Sequence, residues 1–191
     1  MRFRSLLLAT LLAGCAGGPP PAAWQASAKY SLDAFQQAYL RGDSRVADLE
    51  FARARAELAS TGNPALVARA ELIRCAARTA SLEFDDCPGF EKLRADAGPE
   101  ELANAEFLAG RAARAAADDG FSRLVSAGVD FKNGKANPQT IAAAIDLSSA
   151  QGWRRPLLAW LGVEEKRIEA AGDRDALERI RRRIALVSGK T

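Results

Sequence analysis

The chain of 191 residues contains no histidine. That absence removes the Ser–His–Asp triad, the Cys–His dyad and every imidazole metal site. It also removes the side chain best suited to moving protons near neutral pH. Methionine occurs once, as Met1, so the body of the chain offers no thioether ligand. Cysteine occurs three times and aromatic residues make up only 7% of the sequence. Long apolar runs are missing as well. The one near the start, Ser5 to Leu12, is too short to span a bilayer as a helix. No stretch alternates apolar and polar residues long enough to predict a strand.

Charge of one sign is also lacking. Two of the 27 basic residues, Arg2 and Arg4, precede the short apolar run, and the remaining basic and acidic side chains are nearly in balance. No global basic field argues for nucleic acid. Adjacent acids occur at Asp85-Asp86, Glu100-Glu101, Asp118-Asp119 and Glu164-Glu165. Neighbours on a helix point about 100° apart, so none of these is a carboxylate pair facing one cleft. With no nucleophile-and-base pattern elsewhere, the sequence implies no enzyme, no cofactor, no metal and no small-molecule substrate. Arg41-Gly42-Asp43, an adhesion-like tripeptide, reads as a helix stop.

What is present begins with a basic head, Met1-Arg2-Phe3-Arg4, then the apolar run, then Leu12-Ala13-Gly14-Cys15. This layout is that of a secretory signal. Its ending resembles the lipobox of bacterial lipoproteins. The resemblance implies cleavage before Cys15, a diacylglyceryl thioether on its sulfur and an acyl group on the new amine. Two or three such chains anchor stably, each buried methylene contributing about 0.8 kcal/mol. Ala16, in place of the aspartate that marks inner-membrane retention, implies the periplasmic face of the Gram-negative outer membrane. Residues 15–22, with Gly17-Gly18-Pro19-Pro20-Pro21, read as a tether. Residues 23–191 then form one helical domain, long enough to hide roughly 70% of its unfolded surface.

In an oxidising periplasm, Cys75 and Cys87 read as a disulfide across a short loop, worth about 3 kcal/mol by loop-closure entropy. A redox or metal pair is the alternative, although Cys-x-x-Cys spacing and a four-ligand zinc set are both missing.

The body is rich in Ala, Leu, Arg and Glu, and its hydrophobic spacing is helical throughout. Pro64, Pro88, Pro99, Pro138 and Pro156 stand where helices begin. About eight helices are predicted, with a further short one over 88–95: 22–40, 44–60, 64–82, one opening at Pro99 with Ala105, Ala109, Ala112 and Ala116 on a smooth face, a short one over 121–127, then 138–150, 155–171 and 174–188. Residues 128–136 read as the least structured interior stretch. Short turns between helices pack them as antiparallel hairpins. Gly42-Asp43 followed by Ala47, Phe51 and Ala54 resembles the second helix of a tetratricopeptide repeat, with small residues nesting around an aromatic. The fold expected is therefore all-α, either a short tetratricopeptide-like solenoid or an irregular helical bundle.

Two clusters stand out as candidate binding residues. Trp153, Arg154, Arg155 and Trp160 lie within eight residues. They line either an aromatic–cationic groove for a protein partner or a core with arginines outside. Arg179, Arg181, Arg182 and Arg183 form either a patch for peptidoglycan or anionic envelope polymer or a solvated helix face. The expectation from the whole is a lipid-anchored helical adaptor for an envelope protein partner, with the arginine-rich polymer binder as the alternative.

Overall fold

In the computed structural model, which describes residues 22–114 and 119–190, Asn and Asp side chains start the helices as local chemistry dictates. Asp43, Asn63, Asp119, Asn137 and Asp173 each accept a hydrogen bond from a backbone N–H in the first helical turn. Pro64, Pro88, Pro99 and Pro138 occupy the first helical position, where no N–H is needed. The elements so delimited are α1 (Ala23–Arg41), α2 (Ser44–Ala59), α3 (Pro64–Ala80), α4 (Pro88–Glu91), a 3-10 turn (Arg94–Asp96), α5 (Pro99–Leu108), α6 (Gly120–Lys132), α7 (Pro138–Ala150), α8 (Arg154–Ala171) and α9 (Arg174–Ser188). Nine α-helices and no strand occur among the described residues. The protein is an all-α bundle, as its sequence predicts.

The signal and lipidation expectations, Cys15 included, lie outside the described residues. So does Ala116 of the smooth face predicted for α5. That face does not form in any case. The chain turns through Gly110 in the left-handed conformation, φ 78°, so α5 stops at Leu108 and Ala112 lies beyond it.

The second correction is larger. The stretch expected to be least structured, 128–136, begins inside a helix, because α6 runs without a break through Gly128 to Lys132. Gly128 is there for proximity. A Cβ built on it would stand 2.2 Å from the Thr79 carbonyl oxygen of α3. The two helices approach backbone to backbone only because this position has no side chain.

Among the described residues α1 and α2 pack most intimately, forming an antiparallel hairpin. Ala47 and Ala54 of α2 are fully enclosed, and Phe51 between them meets Phe35 of α1 at a tilt, ring centroids 5.1 Å apart. This is the nesting of small residues around an aromatic that the sequence predicted for this helix. From the hairpin, α3 leads inward and touches α1, α2, α4, α5 and α6. The second half runs α6, α7, α8, α9, each against the next, and α8 returns to pack on α1. A solenoid repeat contacts its neighbours only. The return of α8 to α1 therefore makes this architecture a bundle with its two halves joined.

Candidate functional site

The return contact involves Arg155 of the Trp–Arg cluster, which reaches Tyr39 of α1. Trp153, which caps the start of α8, and Trp160 within it are both buried. Trp160 is completely enclosed. Its indole N–H donates to the Ala80 carbonyl at 3.2 Å, and its ring meets Phe131 edge-on at 5.7 Å. Neither tryptophan lines an open groove.

Arg155 is drawn in with them. Its guanidinium lies 4.2 Å from the Tyr39 ring centroid. Nε donates to the Tyr39 carbonyl at 2.8 Å, one Nη to Glu83 at 3.1 Å and the other to Ser44 Oγ at 2.6 Å. The Tyr39 hydroxyl donates to Glu83 at 2.8 Å. Burial, reinforced by that hydrogen bond to a carboxylate, holds the Tyr39 phenol well above its ordinary value. Arg154 alone faces solvent, its guanidinium lying over Gly42 in the α1–α2 turn. The expected aromatic–cationic groove is thus a closed clamp between α1, the 81–87 loop and α8.

Cys75 and Cys87 are joined as a disulfide, with Cα atoms 5.7 Å apart. Asp85 lies beside them, and the two sulfurs and its carboxylate fall within 4.8 Å of one another. The same carboxylate accepts from the Cys87 N–H at 3.0 Å and pairs with Arg78 at 3.0 Å. With the sulfurs bonded to each other, the trio acts as a brace on the loop that carries Glu83.

The four arginines of α9 divide by helical angle. Arg181 points to α8 and pairs with Glu165 at 2.7 Å and Glu169 at 3.3 Å. Arg179, Arg182 and Arg183 share the opposite arc. Arg179 and Arg183 border a shallow recess of about 320 Å³ between α7, α8 and α9, where Asp146 and Glu164 also sit. Arg182 pairs with Glu178 at 3.6 Å. They form a mixed-charge surface rather than one basic patch.

Another recess lies between α6 and α7. The two consecutive helices α6 and α7 touch sparingly along their length, and a cleft of about 550 Å³ opens between them. Contact is kept at one end, where Gly120 lies so close to Leu147 that a Cβ would come within 3.0 Å. The walls are Leu124, Ser126 and Ala127 on α6, and Thr140, Ala143, Ala144 and Leu147 on α7. Small side chains on both walls keep the cleft from filling itself. Residues 110–114 form its roof, pinned by Asn133, whose side-chain amide donates to the Gly110 carbonyl at 3.1 Å.

The rim is cationic. Arg111, Arg114, Arg123 and Lys135 border the cleft, against Asp130. Arg111 is committed to Glu106 through hydrogen bonds of 2.6 and 2.7 Å, which hold the Glu106 carboxyl below its usual range. No ion pair joins Arg114, Arg123 or Lys135 to an acid among the described residues. Sequence reasoning missed this site because each contributor is ordinary alone. The Ala142-Ala143-Ala144 run was the available signal, since three successive alanines must put at least one small residue on an outer face.

Compared with known protein families, curated proteins and solved structures, the chain matches none.

Proposed function

We propose that the protein is a lipid-anchored adaptor of the Gram-negative envelope, held to the outer membrane through Cys15 and facing the periplasm, where it binds a partner protein. The α6–α7 cleft carries the adaptor reading: an open channel between two helices, with small residues such as Ala127, Ser126 and Ala143 on its walls that let another polypeptide approach closely. The anchoring half rests on Leu12-Ala13-Gly14-Cys15 and the Gly–Pro tether that follows. No helix among the described residues is long and apolar enough to cross a membrane, so a lipid would supply the attachment. A disulfide between Cys75 and Cys87 accords with an oxidising compartment.

The test has two parts. Mass spectrometry of the envelope fraction should find the mature protein beginning at an acylated Cys15, and unprocessed protein in the cytosol would overturn the anchoring. Crosslinked pull-down from the same fraction should recover a protein partner reproducibly, and repeated recovery of none would overturn the adaptor.

A second reading, binding of peptidoglycan or anionic envelope polymer, rests on Arg179, Arg182 and Arg183, which share one arc of the last helix, interspersed with Asp146, Glu164 and Glu178. Sedimentation with purified sacculi tests it. Binding that survives replacement of all three by alanine would defeat this reading.

A further inference from the structure

We propose that the α6–α7 cleft receives an acidic segment of the partner, one that sets small or aliphatic side chains on the cleft floor and carboxylates against its rim. The proposal rests on the adaptor reading and adds the partner's chemistry.

Three observations carry it. Ala127, Ala143 and Leu147 leave apolar surface open to the cleft above the buried Leu124 and Ala144, so an occupant that brings apolar side chains covers it. The rim cations Arg114, Arg123 and Lys135 have no acidic partner among the described residues, whereas most other arginines that border helix junctions do. Asp130 is the single acid on the rim among the described residues. Charge complementarity therefore selects a polyanionic chain and rejects a basic one.

Dimensions fit a peptide. Each wall is a helix of 13 residues, about 20 Å long at 1.5 Å per residue. That length accommodates roughly three turns of a bound helix or six extended residues. Ala127, Ala143 and Thr140 keep the walls low enough for a backbone to settle between them.

The recess between α7, α8 and α9 sets two acids, Asp146 and Glu164, beside its cations. The more open hollow on α8, over Ala159, Gly162 and Val163, is bordered by Glu165 and Glu169, which Arg181 already neutralises.

The experiment is an array of random dodecapeptides probed with the full chain. Retained peptides should be enriched in Asp and Glu interspersed with Ala and Leu, with retention falling in high salt. Arg123→Glu with Lys135→Glu should cut retention of the acidic set roughly tenfold or more. Ala143→Trp, which fills the channel without altering charge, should abolish it while leaving the melting temperature unchanged. Retention with no acid preference, or a preference that survives the double charge reversal, would overturn the proposal while leaving the adaptor reading intact. Competition by inorganic phosphate as effective as that by acidic peptides would overturn it in favour of a small-anion site. Failure of the pull-down is a separate result and counts against the adaptor itself.

Discussion

Two junctions of this bundle use opposite materials. Where α8 packs into the bundle, the space is filled by large groups: Trp160 against Ala80 of α3 and Phe131 of α6, and the guanidinium of Arg155 stacked on Tyr39 of α1. Where α7 meets α6, the facing residues are Ala127, Ala143, Ala144, Ser126 and Thr140, and a channel remains. Large planar groups close an irregular gap because each covers much area and Arg155 supplies hydrogen bonds for the backbone and carboxylate it buries. Small groups close a gap only when the helices come into direct contact, as Gly128 allows α6 to do on α3. The cleft is thus the place where small residues are present but close approach is not, and the chemically conspicuous cluster is scaffolding.

The largest effect that can break this contrast is at Trp160. Its replacement by Ala should cost about 3–5 kcal/mol, measured by denaturant unfolding, because it leaves a cavity and an unpaired Ala80 carbonyl. A loss below about 1 kcal/mol would show that the junction is not sealed as described. Next comes the brace. Cys75→Ser with Cys87→Ser should lower stability by about 3 kcal/mol and loosen the loop that presents Glu83, read as faster amide exchange over 81–87. At Arg155, a side chain three-quarters buried, replacement by Ala should cost about 2 kcal/mol through lost charged hydrogen bonds. Its exposed neighbour Arg154→Ala should change the unfolding midpoint very little, and equal effects at the two would erase the distinction drawn between them.

A smaller and sharper probe is the Tyr39 phenol. Its value is raised in the folded protein, so the stability it confers is fully present below the unfolded value near pH 10 and is lost as pH rises through the folded one. In a Tyr30→Phe background, where Tyr39 is the remaining tyrosine, phenolate absorbance should lag well beyond pH 10 and appear together with unfolding. Ionisation near 10 in intact protein would mean the clamp is open to water. At acid pH the relevant group is Glu101. Burial acts to raise its value, but the Arg69 hydrogen bond and its backbone partners outweigh that and the net shift is downward. Its contribution is present above the unfolded value of about 4.3 and disappears as pH falls through the folded one. Glu101→Gln should therefore flatten the acid limb of the stability profile while leaving the alkaline limb as it was.

Much of the bundle was legible because helix starts are local. Asp43, Asn63, Asn137 and Asp173 cap the helices their positions predict, and prolines mark the same boundaries. Glycines were harder because their local meaning is ambiguous. Gly110, expected inside a helix, ends one by turning left-handed, whereas Gly128, expected to end one, lies inside one, for a reason supplied by Thr79 nearly fifty residues away. The candidate site was least legible for a related reason. Trp153, Arg155 and Trp160 stood out by residue type, but side-chain direction decides between core and groove, and the turn of α8 toward α1 fixed it. The cleft depends on how far apart two alanine-bearing helices come to rest, which no property of either helix alone encodes.

The most direct test places a photocrosslinking amino acid at Ala143, inside the cleft, and at Tyr30, the most exposed large apolar residue, on α1. In envelope-bearing cells, position 143 should yield a discrete protein adduct whose crosslinked peptide is rich in Asp and Glu, and position 30 should yield none. Adducts from position 30 with none from 143 would contradict the account.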